Sequence, residues 1–457
     1  MTLESQSIHL ELPTGTVKTD VETRTQFGRN VYTQEVITTN TPLAVVFAKS
    51  VADVQATARY ANQHHIPLTV WGAGTSIVNS SAGLTDGIVL DLSGLNHIIN
   101  INIPNQYAVV EAGVLNGDLD QAARKQGYFF APDPGSKPIS SIGGNIATNA
   151  GGMSSLKYGT TKQSVIGLQV VLADGSLINI GSHTFKDNVG YNLTDLFVGS
   201  EGTLGIIVTA TVRLLPVPFG NPITGLATFI DMAALSKAVQ KISGSGLYPA
   251  MLEALNDTSI EALDQLEHIE LAKDGAKALL IFQLDVAPVG ALDALKQLLT
   301  ESGARQINVT DDPVYATKII KIRQDYYQAE AAYGRLVVED IAVPLSKLPD
   351  LAAFVETLQF TTPVKVFLGG HAGDGNFHPN IAIPKDVTSI PEDVEAAIHK
   401  IFDFALSVDG TISAEHGIGE IKHAWITPKL GADVVAIQKK IKADFDPNGI
   451  LNPGRKI

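Results

Sequence analysis

The 457-residue sequence contains no cysteine. The chain alone therefore cannot form disulfides, thiolate zinc sites or cysteine-ligated iron–sulfur clusters. Basic residues are also scarce, since 33 Lys and Arg stand against 47 Asp and Glu, a formal net charge of −14. This balance argues against nucleic acid as a partner, because neutralising phosphates requires clustered Lys and Arg. If the protein performs redox chemistry, its electrons must pass to an external acceptor.

Long apolar runs and common nucleotide motifs are missing as well. No stretch approaches 18 apolar residues, and the first residues have neither a basic start nor an apolar core. We expect a cytoplasmic protein, with docking on a membrane surface left open. The turn that starts at Gly72 carries Ile77 where a dinucleotide fingerprint requires glycine, and no P-loop is found. Nicotinamide-type binding and ATP hydrolysis are therefore disfavoured.

Two glycine-rich segments are the main features of the first half. Residues 132–152 carry five glycines, with Ser, Thr and Asn between them, a composition that predicts no amphipathic helix. Glycine lets successive backbone N–H groups converge on an anion such as a diphosphate. A second candidate cradle, residues 72–76, follows the apolar strand predicted for residues 66–71. The alternative for either segment is a plain surface loop.

The sequence pattern changes near Pro218, where prolines interrupt the chain and longer helical patterns begin. We predict an N-terminal segment (1–40), a first domain (41–218), a second domain (219–420) and a C-terminal segment (421–457) that returns to the first domain. Helical patterns between apolar strands make the second domain α+β. Its predicted helices cover residues 232–243, 291–302, 313–332, 347–358 and 392–408, and its predicted strands include 278–284 and 336–343.

Two histidines flank a predicted hairpin in the segment His371-Ala-Gly-Asp-Gly-Asn-Phe-His378. If Asp374-Gly375 forms a two-residue type I′ turn, pairing runs outward and sets His371 opposite His378. Cβ atoms of opposed residues lie about 4.5–5.5 Å apart, so both imidazoles could bind one divalent ion. The alternative is a pair of surface histidines beside a turn.

Glu415 and His416, in a glycine-flanked segment, supply what two histidines lack. They offer a carboxylate ligand and an adjacent base, and two His plus one carboxylate with open positions is a catalytic arrangement. Alone, a Glu-His pair is usually solvated. Asp374 and Glu420 are expected to be structural or outside the ligand set. Arg323, on a predicted helix, is a candidate fork for a substrate carboxylate, although such an arginine is by default solvated.

Together these motifs resemble the flavoprotein 2-hydroxy-acid dehydrogenases of the vanillyl-alcohol-oxidase (PCMH) type, especially the D-lactate dehydrogenase and glycolate-oxidase catalytic-subunit branch. The resemblance covers about residues 40–457. It rests on WGAGTS (71–76), PDPGS (132–136), SIGGNIATNAGG (141–152), KYG (157–159), DNVGYNLTDLFVGSEGTLGI (187–206), HAGDGNFH (371–378), AEHGIG (414–419) and NPG (452–454).

The resemblance implies an α+β protein with a two-part FAD-binding domain and a cap domain whose antiparallel sheet, flanked by helices, covers the flavin. It assigns His371, His378 and Glu415 to a divalent ion of the zinc type, or manganese or iron, His416 to the catalytic base and Arg323 to the substrate carboxylate. The residues that it assigns to FAD are Trp71, Gly72, Ala73, Gly74, Thr75, Ser76, Pro132, Gly135, Ser136, Ser141, Gly143, Asn145, Asn149, Gly152, Glu201, Ile207 and Asn452. Because residues 71–76 offer no His, Cys or Tyr, the FAD is expected to be non-covalent.

The implied reaction is oxidation of a small D-2-hydroxy acid, D-lactate foremost, to the 2-oxo acid, with hydride transfer to flavin N5. Relatives that act on 2-hydroxyglutarate carry a lysine where this chain has residues 337–339, Val-Val-Glu, so a monocarboxylate is favoured. Alternatives are glycolate or another 2-hydroxy acid as substrate, a flavin-dependent transferase of the alkyl-glycerone-phosphate synthase type, and a non-catalytic FAD-binding electron-transfer subunit. The acceptor (quinone, cytochrome, electron-transfer flavoprotein or oxygen) and the oligomeric state, including a homodimer, stay open.

Overall fold

The computed structural model describes residues 8–30, 40–271, 275–387 and 389–457, so parts of the predicted N-terminal segment lie outside the described residues. The first sheet consists of β1 (Thr16–Lys18), β2 (Ala44–Phe47), β3 (Leu68–Trp71) and β4 (Ile88–Asp91). Its order is β1-β2-β4-β3, with β1 antiparallel and the others parallel. Parallel strands need a crossover, and α2 (Val51–His64) provides one, with Ser50 as its N-cap accepting from Asp53 N.

The second sheet is antiparallel, in the order β5-β6-β10-β8-β9. A turn at residues 173–176 connects β8 to β9 and has Gly175 at φ +80°. The strands of this region are β5 (Ile98–Asn102), β6 (Tyr107–Glu111), β7 (Tyr128–Phe129), β8 (Val165–Val171), β9 (Leu177–Gly181), β10 (Ile206–Arg213) and β11 (Leu215–Pro216), with β7 and β11 forming a separate pair. Its helices, with the N-terminal α1, are α1 (Val21–Gln26), α3 (Asn116–Arg124), α4 (Ile142–Thr148), α5 (Ser155–Tyr158), α6 (Thr161–Ser164) and α7 (Leu193–Phe197).

Helix α4 corrects the prediction that the glycine-rich segment forms no amphipathic helix. Ser141 caps it by accepting from Gly144 N, and Asn149 ends it in the left-handed conformation. Ile142 and Ile146, four residues apart, are fully buried in the core beneath the second sheet. Two isoleucines and a cap therefore suffice for one short helix, and they anchor the glycines around it.

The second half is built on an eight-stranded antiparallel sheet, in the order β15-β12-β14-β13-β18-β19-β16, with β17 also on β19. The strands are β12 (Ile223–Phe229), β13 (Met251–Asn256), β14 (Ala278–Leu284), β15 (Gln306–Thr310), β16 (Arg335–Val337), β17 (Ile341–Ala342), β18 (Lys365–His371) and β19 (Asn376–Ile383). The helices are α8 (Met232–Ser243), α9 (Asp257–Glu267), α10 (Ala291–Glu301), α11 (Pro313–Gln324), α12 (Tyr326–Ala331), α13 (Leu348–Glu356) and α14 (Glu392–Ser407).

Helices cover both faces of this sheet. One core contains the buried sides of α8, α10, α13 and α14, and the other those of α9, α11 and α12. The fold is thus the expected α+β architecture with a helix-flanked antiparallel sheet. Two predicted elements are divided: the helix over 313–332 is interrupted at Asp325, and the strand over 336–343 becomes β16 and β17.

The C-terminal segment packs against the first half of the chain. It carries α15 (Ile426–Leu430) and α16 (Ala432–Phe445). Phe445 packs edge-on against Phe197 at 5.3 Å between ring centroids, and Leu451 forms a parallel bridge with Leu68 beside β3. Among the helices of the described residues, none has the length and apolar character required to cross a bilayer.

Candidate functional site

A cavity of about 970 Å³ is lined by residues from both halves of the chain. This volume is at the upper end of the range for small-molecule sites, about 300–1,000 Å³. The predicted site residues that line it are Gly72, Ala73, Gly74, Thr75, Ser76, Gly135, Ser136, Ser141, Gly143, Asn145, Gly152, Glu201, Ile207, Arg323, His371, His378, Glu415 and His416.

The loop 72–76 packs against the start of α4 in a way that excludes side chains. A Cβ on Gly72 would lie 2.5 Å from Ser141 Oγ, and Gly74 has φ +66° with its Cβ position 2.1 Å from the Trp71 ring. Glycine alone fits both positions. Asn145 on α4 lines the cavity, and its buried Nδ2 has no hydrogen-bond partner within the protein. A bare cradle with an unsatisfied donor suits a large polar ligand.

Four predicted residues lie behind this wall. Trp71 packs on Phe27 at 4.7 Å between ring centroids, and the Pro132 carbonyl accepts from Asn116 Nδ2. Asn149 ends α4, whereas Asn452 Nδ2 donates to the carbonyls of Ser80 and Glu201. These contacts support the cavity wall from outside.

Glu201 lines the cavity, but its carboxylate serves the neighbouring loop. It accepts from the backbone N–H groups of Ile418 and Gly419. It therefore connects the first domain to the segment that carries Glu415 and His416.

The hairpin between β18 and β19 differs in register from the prediction. His371 pairs with Asn376, and His378 pairs with Gly369, so the connection has four residues, 372–375, rather than two. Gly375 has φ +83°, whereas Asp374 is not in the left-handed region that a type I′ turn requires. The register differs by two residues, and a shift by two keeps every side chain on its face. His371 and His378 therefore still lie on one face, with ring centroids 5.5 Å apart.

Both imidazoles are held by their Nδ1 atoms. His371 Nδ1 lies 2.7 Å from Glu253 Oε1, and His378 Nδ1 lies 3.1 Å from the carbonyl of Glu339. Because a carboxylate and a carbonyl only accept, each Nδ1 carries the proton. Each Nε2 is thereby directed elsewhere, as is typical of histidines prepared for a metal ion.

The two Nε2 atoms converge on one carboxylate oxygen. Both lie 3.5 Å from Glu415 Oε1. Ligand atoms of all three residues lie within 4.8 Å of one another. Two ligands of a tetrahedral ion with bonds of about 2.0–2.1 Å are about 3.4 Å apart, so these spacings fit one ion of the zinc type. Asp340, His378 and His416 form a second such group, but the Asp340 carboxylate is used by the backbone.

The charges of this group depend on one another. Burial would raise the pKa of Glu415, but His371 beside it lowers that pKa to about 2. Burial opposes a charged His371, yet Glu253 and Glu415 raise its pKa well above its ordinary value. Burial, with His416 nearby, lowers the pKa of His378 to about 4. His371 is therefore favoured as a protonated imidazolium between the Glu253 and Glu415 carboxylates, whereas His378 is neutral.

Asp340 positions the loop that carries Glu415 and His416. Its Oδ2 accepts from the backbone N–H groups of residues 414, 415 and 416 at 2.8–2.9 Å. His416 and Lys422 nearby, with these hydrogen bonds, lower the Asp340 pKa despite complete burial. The His416 ring stacks on His378 at 5.0 Å, and its Nε2 lies 3.7 Å from Glu415 Oε1. His416 therefore lies beside the ligand group, and its position is fixed by its backbone hydrogen bond to Asp340 rather than by its side chain.

Arg323 reaches the same site through Glu253. Its Nε donates to Glu253 Oε2 at 2.6 Å, while Oε1 of that carboxylate holds His371. Glu253 is fully buried on β13, directly opposite His371 in register. Neither Glu253 nor the role of Asp340 was predicted from the sequence. A lone acid in the apolar strand Met251–Asn256 was the available signal.

Asp374 and Glu420 have structural contacts, as expected. Asp374 Oδ1 accepts from Asn376 N within the hairpin turn, and Glu420 accepts from Asn79 Nδ2.

Comparison with known families gives two matches. Residues 42–181 match a family described as "FAD binding domain", and residues 222–456 match "FAD linked oxidases, C-terminal domain". The second match alone spans the site's histidines, Glu415, Arg323 and Glu253.

Individual proteins are similar over nearly their whole length. Glycolate oxidase subunit GlcD of Bacillus subtilis is 34% identical over 438 residues, covering 94% of this chain and 92% of the relative. D-lactate dehydrogenase of Anaerostipes hadrus is 31% identical, covering 91% and 89%.

Solved structures share the fold at low identity. p-Cresol methylhydroxylase is similar with a TM-score of 0.78 at 18% identity, covering 96% of this chain and 93% of its own. Alkyldihydroxyacetonephosphate synthase is similar with a TM-score of 0.73 at 18% identity, covering 96% and 82%. These likenesses establish the PCMH-type FAD-binding fold.

Proposed function

This chain belongs to the FAD-linked oxidase family and is an FAD-dependent oxidoreductase, and from that premise we propose that it oxidises a small D-2-hydroxy acid, D-lactate foremost, to the 2-oxo acid. The observation that carries the proposal is the shared use of one buried carboxylate. Glu253 holds Arg323 with one oxygen and His371 with the other. A carboxylate-binding cation and a metal-ligand group are thus fixed at a set separation, as a 2-hydroxy acid requires.

Each of the chain's own groups has a role in this reaction. His371, His378 and Glu415 would hold a divalent ion, zinc foremost. The Arg323 guanidinium uses its Nε for Glu253, so its remaining donors bind the substrate carboxylate. His416 Nε2 takes the proton of the substrate hydroxyl. When bound, FAD accepts the hydride and the ion polarises the substrate oxygens.

The glycine cradle is proposed to hold the FAD diphosphate without a covalent bond, since residues 71–76 contain no His, Cys or Tyr. Gly72 and Gly74 let the backbone approach the ligand, and Asn145 supplies the unsatisfied donor. Because the chain has no cysteine for iron–sulfur centres, an external quinone, cytochrome, electron-transfer flavoprotein or oxygen must reoxidise the flavin.

An anaerobic titration of the purified yellow protein with D- and L-2-hydroxy acids tests this proposal. We expect D-lactate to bleach the flavin band and L-lactate to leave it unchanged, because Arg323 and His416 fix the hydroxyl face. Glycolate and D-2-hydroxybutyrate, which are one carbon shorter and one carbon longer than lactate, measure the substrate size that the site accepts. A flavin that stays yellow with every acid would reject the proposal and favour a transferase or a non-catalytic subunit.

The carboxylate of Glu253, shared by Arg323 and His371, leads to a further prediction. Replacing Glu253 by Gln keeps its shape but removes the charge that orients His371. We expect metal affinity to fall about 10–100-fold, the usual effect of losing such an outer partner. Competition with a chromogenic zinc chelator measures it. Glu261→Gln, an exposed acid on α9, is the matched control and should bind metal like the wild type. Equal affinity in the two variants would contradict the role of Glu253.

A further inference from the structure

A second polar group lines the cavity beyond Arg323. Glu330 on α12 and Asn380 on β19 are 0% and 3% exposed and both line the cavity. Asn380 Nδ2 donates to Glu330 Oε2 at 2.8 Å. The other oxygens of the pair, Glu330 Oε1 and Asn380 Oδ1, are buried without a hydrogen-bond partner. Two unsatisfied acceptors at one place are uncommon and require a partner.

The fold brings this pair close to the reacting groups. Asn380 follows His378 by two positions on β19, so both side chains project from one face of the sheet. Glu330 follows the interruption at Asp325 that separates α11 from α12, and Arg323 is the last basic residue before that interruption. A substrate held by Arg323 and the ion would therefore extend its chain towards Glu330 and Asn380.

The two unpartnered atoms of Glu330 and Asn380 determine which group of a ligand can bind there. Both unpartnered atoms are oxygens, so the ligand must offer a hydrogen-bond donor. Burial raises the pKa of Glu330 to about 7, and hydrogen bonding from Tyr326 and Asn380 and the charge of Arg323 oppose that rise. A hydroxyl suits Glu330 whether it is charged or neutral, since a hydroxyl both donates and accepts. An ammonium group would be repelled by Arg323, and a second carboxylate would be repelled by ionised Glu330.

We propose that Glu330 and Asn380 form a distal subsite that selects 2-hydroxy acids carrying a further hydroxyl group on carbon 3 or 4. This inference rests on the proposed function and narrows it. Lactate would engage Arg323 and the metal ligands but leave the subsite unsatisfied. Rejection of the analogue that lacks a hydroxyl is strong wherever a buried polar group is left unpaired.

Matched acids test the subsite on the FAD-loaded protein. Rates of anaerobic flavin reduction are compared for D-2-hydroxybutyrate, D-2,4-dihydroxybutyrate and 4-amino-D-2-hydroxybutyrate, and for D-lactate against D-glycerate. We expect the hydroxyl-bearing acid of at least one pair to have a second-order rate constant of flavin reduction about 10–100-fold higher than that of its deoxy partner. Among the three four-carbon acids, 4-amino-D-2-hydroxybutyrate should reduce the flavin most slowly.

Two variants and a control assign the preference to Glu330. Glu330→Ala should reduce the ratio of the flavin-reduction rate constants of the hydroxyl-bearing and deoxy acids to near one. Glu330→Gln, which keeps an acceptor oxygen, should preserve most of that ratio. Gln328→Ala, at an exposed position on the same helix, should leave the ratio and the rates unchanged.

Several outcomes would overturn the inference. In the wild type, equal rates within both pairs, or a preference for the amine, would reject a hydroxyl subsite while the proposed function stands. A preference that survives in Glu330→Ala would remove Glu330 from it. If none of these acids reduces the flavin, the proposed function and the subsite both fail.

Discussion

Replacing His416 by alanine is expected to slow flavin reduction by about 10²–10⁴-fold, the usual effect of losing an acid–base group. The protein should still bind FAD and metal. The reason is geometric: Asp340 holds this loop through backbone N–H groups, including that of His416 itself. Removal of the imidazole therefore leaves Glu415 in place. The substrate hydroxyl then loses the proposed acceptor of its proton.

Stopped-flow reduction under anaerobic conditions measures this effect at saturating D-lactate, or at the best acid of the panel. His423→Ala is the matched control, because His423 is an exposed histidine of the same region. It should reduce at the wild-type rate. If His416→Ala also reduces at that rate, with full FAD content, another group must be the base.

The local motifs of the site could be read from the sequence, and the hairpin shows why an error in register left both histidines on one face. The expected type I′ turn was wrong, because Asp374 does not take a positive φ and the connection has four residues. A pairing error of two residues keeps the side-chain faces, whereas an error of one would have separated His371 from His378. The prediction that both face one side therefore depended on the parity of their spacing.

The partners of the site could not be predicted, because they depend on sheet order. Glu253 lies opposite His371 only because β13 pairs with β18, which is 118 residues away at this contact. Asp340 meets residues 414–416 across 74–76 residues of sequence. Local periodicity carries no information on such pairings, so these acids looked like isolated charges.

Helix interruptions limited the prediction in another way. Apolar spacing predicted one helix over residues 313–332, but the chain is interrupted at Asp325. Neither glycine nor proline marks that position. The interruption decides which side chains reach the cavity, since it separates Arg323 on α11 from Glu330 on α12. The distal subsite could therefore not be predicted from the sequence, because the position of Glu330 relative to Arg323 depends on this interruption.

Replacing His378 by alanine is expected to release the metal and to abolish activity together with it. Three protein ligands define the proposed site, and loss of one should exceed the roughly 10–100-fold affinity loss that removing an outer partner causes. The substitution leaves the strand intact, because β19 is paired through its backbone with β18 and β16. FAD should stay bound, since the glycine cradle lies in the other half of the chain.

Metal content by mass spectrometry, before and after dialysis against a chelator, measures this prediction. We expect about one zinc-type ion per wild-type chain and almost none in the variant. Removing the ion from the wild type should abolish flavin reduction, and re-addition of zinc should restore it in the wild type but not in the variant. His423→Ala should behave like the wild type. Full activity of the wild type in exhaustive chelator would show that His371, His378 and Glu415 converge for a proton rather than a metal ion.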